Sequence, residues 1–498
     1  HLTNIFEKES KPITKMTVYK KETYKSTDKT SSFKPTLSLL DATMIVAGSM
    51  IGSGIFIVSA DITRNTGSAG WLMIVWLITG FMTLTAALSY GELSGMYPKA
   101  GGQYVYLKEA YNPLIGFLYG WSFFSVIQTA TIAAVGVAFA KFTAYIFPQV
   151  REDAVALDLG FLSVSPAQLL SIVVIVLLTY INSRGVKSGK IIQTTFTLTK
   201  ILSLFALIVI GLIVADSAVW ENNWKDAWTL QKLNIDGGFE SYTAMAAAGA
   251  VAAAMVGSVF SSDSWNNVTF IAGEIKNPRR NIGLSLFLGT LIVSAIYITT
   301  NLVYTAVLPL HDIATASKDR VGVAASEVIF GNAGTIIIAL MIMVSTFGCN
   351  NGLILAGARV YYTMAKDGLF FKKAGTLNKN AVPGYALWVQ CVFACLWSLS
   401  GKYGDLLDMI SFVVVCFYML TIVGIFILRK KQPDVERPYK AFGYPFLPII
   451  YIVMGLAFCA LLIVYKPRFT WPGIIITLIG VPIYYLVVNS KKKSSDTL

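Results

Sequence analysis

Two short stretches put polar or helix-weakening residues where an apolar chain has least use for them. The first is GSMIGSGIF, Gly48 to Phe56, inside an apolar run from about Leu37 to Ser59. The second is FSSDSW, Phe260 to Trp265, again in the middle of an apolar run. Neither can face hydrocarbon, which offers no partner to loosened backbone or to serine and aspartate side chains. Where a helix unwinds, the N–H groups that open its second half point into the gap with the positive end of that half's dipole, and they suit an anion such as a carboxylate. The carbonyls that end the first half are left to accept from a cation. Gly52, Ser53 and Gly54 would supply the donors, and the carbonyls around Met50 and Phe260 the acceptors. A ligand carrying both charges a bond or two apart is an α-amino acid. Taken alone, Gly48-x-x-x-Gly52 also reads as a close helix-packing motif. It is no phosphate loop, since no Gly-Lys-Ser/Thr follows it.

Two ionisable residues lie deep in apolar runs. Lys200, in TTFTLTKILSLFALIVIG, sits too far in to assume that it reaches the surface. A buried ammonium needs carbonyls or a carboxylate around it. It reads as a fixed internal cation tethering the first break, or as a lysine snorkelling to the interface. Asp263 is the acid in the second break, and several roles stay open: pairing with Lys200, meeting a substrate's side-chain cation, carrying a proton, or structural polar contact. Lys141 reads as a snorkelling residue. Glu274, Arg279 and Arg280 in GEIKNPRRN cap the end of the run containing the second break; an ion-pair latch with Arg359 and ordinary solvation are equal alternatives. Trp and Tyr near the ends of runs read as interfacial anchors.

The elements that must position these residues are membrane helices. The 498 residues are 55% hydrophobic and 13% charged, about half the charged share of a soluble domain. Apolar runs long enough to span recur near 37–64, 70–96, 113–147, 166–183, 191–215, 241–272, 282–308, 334–364, 384–400, 404–428, 446–465 and 470–489. The pattern predicts an all-α polytopic membrane protein of twelve transmembrane helices. The breaks fall in spans one and six, the offset expected of two inverted five-helix repeats, where paired interruptions mark a transporter's binding site.

The domains follow: a basic tail over 1–36, a first repeat over 37–216, an external loop over 217–240, a second repeat over 241–428, a loop over 429–445, two further spans over 446–489 and a basic tail over 490–498. No gap leaves room for a soluble domain. With both termini inside, 28 of the 40 Lys and Arg residues fall in cytoplasmic segments and 9 in external ones. That bias accounts for the +13 formal charge through the positive-inside rule and attraction to membrane lipid, without nucleic acid. The opening segment is lysine-rich and lacks an apolar core, which argues against a signal peptide. It begins with His1, and Met16 is a candidate native start. The five cysteines, Cys349, Cys391, Cys395, Cys416 and Cys459, all fall in apolar runs, and His1 and His311 are the only histidines. The composition therefore points to no metal or haem cofactor and no catalytic constellation.

GSMIGSGIF, then YPKAGGQYVYLKEAYNPLIGFLYGW (Tyr97 to Trp121), GEIKNPRRN and RKKQPDVERPYK (Arg429 to Lys440) together resemble the amino acid–polyamine–organocation (APC) transporters, and among them the L-type amino acid transporter family. The resemblance runs from about Thr36 to Asn489. It implies the LeuT-like fold with broken helices 1 and 6, and sodium-independent amino acid transport across the plasma membrane, commonly by exchange. By motif it places the carboxylate site on Gly52, Ser53 and Gly54 and the ammonium site on the Met50 and Phe260 carbonyls. Phe260 would be the gating aromatic and Lys200 the lysine linked to the broken first helix. Ser261, Trp265 and Asn266 fall on the family's pattern around the second break. Many relatives have a small residue where this chain has Asp263, and relatives that carry dibasic amino acids can have an aspartate there. The heavy subunit of animal relatives attaches through a cysteine between spans three and four. The stretch 148–166 has none, which implies a stand-alone, bacterial-type carrier without a disulfide-linked partner. Proton-coupled symport and a non-transporting amino acid sensor remain alternatives.

Overall fold

The computed structural model describes residues 33–158, 160, 163–399 and 403–495. Of the N-terminal tail, residues 1–32 lie outside the described residues, as do 496–498 of the C-terminal one.

Helix α1 (Leu39–Met50) opens on a capping box. Ser38 Oγ accepts from the Asp41 N–H at 3.3 Å, and Asp41 Oδ2 accepts from the Ser38 N–H at 2.8 Å. The helix stops at Met50, and the chain passes through Gly52 and Ser53 into a single tight turn, Gly54–Phe56, before α2 (Ser59–Thr66). Gly67, at φ 62°, ends α2 in the left-handed conformation that glycine tolerates best. Then come α3 (Ala69–Met96) and α4 (Pro113–Thr143), the latter with a wide turn at Phe123–Ile127. Next are α5 (Pro166–Ser183) and α6 (Val186–Ile213). Helix α7 (Ala244–Ser261) is the second broken element, resuming only as the short helix Asn267–Phe270. It is followed by α8 (Pro278–Val307), α9 (Gly334–Lys366), α10 (Gly384–Leu399), α11 (Tyr403–Lys431), α12 (Phe446–Tyr465) and α13 (Pro467–Ser495). Prolines at the first turns of α4, α5 and α8 stand where a missing N–H costs no hydrogen bond.

Among the described residues, ten helical stretches are long and apolar enough to cross a membrane. Two shorter apolar helices, Leu39–Met50 and Gly384–Leu399, stand in the first and ninth of the expected spans. Helix α1 packs against α6, α8 and α9, while α7 packs against α2, α3, α11 and α12. Large apolar side chains on α6 and α12, such as Leu202, Phe205, Val453 and Leu456, face outward, as lipid contact requires.

The all-helical expectation misses two small antiparallel hairpins. One pairs Leu157–Asp158 with Ser163–Val164, the other Gln231–Leu233 with Phe239–Ser241. Both lie between apolar runs, where no helical periodicity constrains the chain. The second closes through Asp236, whose side chain accepts the Gly238 N–H, and Gly237 at φ 85°.

The RPYK segment after α11 is clamped onto α3. The Glu92 carboxylate, buried near the end of that helix, meets Arg437 Nε of that segment at 3.3 Å and accepts from the Ala441 N–H at 2.7 Å, while Arg429 at the end of α11 donates to it through Nε and Nη2 at 3.0 and 2.7 Å. Charge-assisted bonds of this kind hold the loop to the helix end.

Candidate binding site between two helix breaks

The first break is held from three sides. The Lys200 ammonium, on α6 and 1% exposed, donates to the carbonyls of Gly48 and Ile51 at 2.6 Å each, and to that of Ser345 at 3.3 Å. Ser345 Oγ on α9 donates to the Gly52 carbonyl at 2.9 Å, and Cys349 Sγ one turn later to that of Ser49 at 3.0 Å. These are carbonyls that α1 leaves unpaired where it ends. Lysine at this depth is therefore used as a three-armed donor to backbone. Asp263 is not its partner; among the described residues no ion pair joins them.

Beyond the carbonyls, the amide groups of Gly52, Gly54 and Ile55 are buried and donate to no acceptor among the described residues. Buried amides are paired in the great majority of cases, so three unpaired together are unusual.

The two breaks touch. A Cβ on Gly54 would lie 2.0 Å from Ser261 Oγ and 2.7 Å from its Cβ, so only glycine allows this approach. The Tyr297 hydroxyl on α8 reaches both sides, 3.0 Å from the Met50 carbonyl and 3.0 Å from that of Ser261. The Met50 carbonyl thus has one lone pair in use and one free. The Phe260 carbonyl accepts the Asp263 N–H at 3.1 Å. Ser261 Oγ is itself engaged, donating to the Gly257 carbonyl at 2.7 Å.

In the second break Ser264 takes φ 66°, a left-handed conformation costly for a residue with a Cβ. It turns the chain so that Asp263 faces α11, where its Oδ1 accepts from the Tyr418 hydroxyl at 2.5 Å. Asp263 and Asn266 line a cavity of about 10 Å³, the space of one water, together with Gln103, Tyr119, Gln128 and Tyr418. Asn266 Nδ2 donates to Gln103 Oε1 at 2.9 Å, which in turn is anchored through its Nε2 to Thr421 Oγ1 at 3.1 Å. Trp265 packs between Tyr90, edge-on with ring centroids 4.7 Å apart, and Tyr418 at 5.0 Å, and with Asp263 lines a second small cavity of about 20 Å³.

Of the residues named from sequence, Asp263 and Asn266 line the cavity. Met50, Gly52, Ser53, Gly54, Phe260 and Ser261 gather at the contact between the breaks instead. The chain just before α1 and the chain just after the second break are joined as well. The Thr36 and Leu37 N–H groups donate to the Glu274 carbonyl at 2.9 Å, and Lys276 returns a bond to Leu37 at 2.8 Å. Arg359 and Glu274 form a buried pair at 2.9 Å, the latch rather than the solvated alternative.

A family model for amino acid permeases matches residues 37–487, nearly the whole described chain. The chain belongs to the amino acid permease family. As the motif resemblance implies, this is a family of APC transporters, not enzymes. The permease is 30% identical over 469 residues to the serine/threonine exchanger SteT of Bacillus subtilis, covering 93% of this chain and 99% of that one. It is 30% identical over 468 residues to the human large neutral amino acids transporter small subunit 2, covering 93% and 82%. It is 28% identical over 481 residues to the mouse b(0,+)-type amino acid transporter 1, covering 95% and 91%.

Several residues of the permease's site carried no signal in the sequence. Tyr297, Ser345, Tyr418 and Gln103 sit in ordinary apolar or motif-rich helices, and nothing in their spacing announces a partner more than a hundred residues away.

Proposed function

We propose that this permease is a sodium-independent exchanger of L-amino acids, working by alternating access at the contact between α1 and α7. The observation that carries the reading is the pairing where the breaks meet: free amides at Gly52, Gly54 and Ile55 for a carboxylate, beside the Met50 carbonyl, which keeps a lone pair for an ammonium, with the Phe260 carbonyl close by. Lys200 supports sodium independence, because it already supplies a positive charge to the carbonyls of the break. Phe260, half-buried beside the contact, acts as the gating aromatic. The cavity at Asp263 is too small for an amino acid, so substrate entry requires the helix halves to separate.

On this reading the architecture is twelve spans, with 37–216 and 241–428 as inverted repeats, in the cell membrane with both termini cytoplasmic. The SteT relative, an exchanger by name, supports exchange. The carrier works without a disulfide-linked heavy subunit, a reading supported by the lack of any cysteine in 148–166. Uptake of labelled amino acid into liposomes holding the purified protein tests transport itself. Binding without flux would make the chain a sensor.

A second reading, proton-coupled symport, has one observation in its favour. Among the described residues Asp263 is the only carboxylate lining the cavity, and it is buried. A pH gradient that drives net accumulation without internal substrate would select it.

A further inference from the structure

A groove of about 530 Å³ lies between the α5–α6 turn, the residues leading into α1 and the segment before α10. Lys34, Arg184, Lys187, Lys190 and Lys379 line it, and among the described residues no acidic residue does. Lys190 pairs with Asp41 at 2.7 Å. Five cations around one groove, four of them without a carboxylate partner among the described residues, focus a positive potential that suits an anion. The backbone adds to it: Gly185, at φ 136°, turns the chain into α6 with no side-chain cap, so the first amides of that helix add their own positive pole.

The groove continues into an apolar ridge. Ile191 is one of its walls and is 56% exposed; Leu198, Leu202 and Phe205 follow on the same face of α6, at 44, 64 and 62%. A soluble anion would use the cations and leave the ridge bare. A ligand with a charged head and a hydrocarbon tail uses both.

We infer that this groove binds the phosphate headgroup of an anionic phospholipid, whose acyl chain lies along the α6 ridge. The site depends on the membrane setting and not on the proposed substrate. It touches the first broken helix through Lys190, because a headgroup phosphate shares that ammonium with Asp41, whose carboxylate completes the capping box of α1. An anionic lipid thereby bears on the inner end of the helix that must move.

The test is native mass spectrometry of the full chain purified from vesicles of phosphatidylcholine and phosphatidylglycerol. The double variant Lys187→Glu/Lys379→Glu is compared with a control of equal charge change on exposed residues elsewhere, Lys430→Glu/Lys440→Glu. The groove variant is expected to retain phosphatidylglycerol at least about tenfold less, with phosphatidylcholine retention unchanged, while the control stays close to the parent. If the charge reversal prevents folding, Lys187→Gln/Lys379→Gln gives the same comparison with a smaller loss. Equal retention by parent and groove variant, or equal loss in both variants, would overturn the site. Full displacement of phosphatidylglycerol by inorganic phosphate would show a soluble-anion site and overturn the lipid assignment.

Discussion

The place a Gly54 side chain would occupy lies 2.0 Å from Ser261 Oγ, so the two helix interruptions meet at a point where neither has room to spare. Gly54→Val is therefore expected to abolish amino acid binding while membrane insertion persists. Gly54→Ala should lose most of it, and Ser261→Gly should restore part of that loss by removing the nearest atoms. Binding by isothermal titration checks the series; normal binding by Gly54→Val would place the substrate elsewhere.

Lys200→Ala removes a donor from three carbonyls; the Ile51 carbonyl keeps Ser345 Oγ at 3.1 Å and that of Ser345 lies inside α9, so the Gly48 carbonyl is the one left unpaired. Each buried acceptor left unpaired costs about 1–3 kcal/mol. Transport is expected to fall at least about tenfold, because a factor of ten is only about 1.4 kcal/mol. Initial exchange rates, normalised to protein in the vesicles, measure it. A parent protein whose accumulation follows a sodium gradient would refute the role given to Lys200.

Asp263 faces Tyr418 and the cavity, which leaves two outcomes for Asp263→Asn. A carboxylate that meets a substrate's second cation contributes about 1.5–3 kcal/mol, so lysine and arginine should weaken by roughly ten- to hundredfold while alanine and serine hold. A proton carrier would instead lose all substrates alike and change its pH profile. Exchange of alanine and lysine across about pH 5 to 8 separates the two, and the substrate-facing role predicts the selective loss. Tyr418→Phe should leave lysine exchange in place, since the hydroxyl only competes for the same oxygen.

Ser264 holds φ 66° with a side chain attached. Glycine at this position removes a conformational cost of about 1–2 kcal/mol, whereas valine adds strain. Ser264→Gly should raise the melting temperature of the detergent-purified protein slightly, and Ser264→Val should lower it. The reverse order would contradict the left-handed turn.

In the segment after α4, Glu152 meets Lys141 at 2.7 Å and Lys318 at 3.4 Å. Burial alone would raise the pKa of its carboxyl, but the hydrogen bond and charge of Lys141, with those of Lys318, outweigh it and leave the pKa below the ordinary value. A depressed carboxylate stabilises the fold above its unfolded pKa, and that contribution is lost as pH falls through the folded value. Glu152→Gln should therefore lower thermal stability at neutral pH and leave it unchanged at acid pH, where the parent has lost the same charge. A stability difference that persists in acid would argue against the ion pairs.

How far the sequence carries the site depends on how local each signal is. Glycine and serine in a spanning run reveal an interruption wherever the rest of the chain goes, so both breaks were legible, as was a buried lysine's need for carbonyls. What answers those needs is long-range. Tyr297 bridges the breaks from α8, and Tyr418 reaches Asp263 from α11. A tyrosine in an apolar run reads as a membrane anchor until the packing is known. Ile55 has a side chain without polar chemistry, so only its unpaired amide identifies it. The hairpins outside the apolar runs were missed because polar loops carry no period, although Asp236-Gly237 is a recognisable turn.

The central claim is exchange at the contact between α1 and α7, and counterflow measures it most directly. Purified protein in liposomes is preloaded with each amino acid in turn, without sodium, and uptake of the same labelled amino acid is followed. The account predicts rapid uptake only into vesicles that hold a transported amino acid inside, unchanged when sodium is added, and absent in Gly54→Val. Equal uptake into empty vesicles, or uptake that appears only with a sodium gradient, would contradict it.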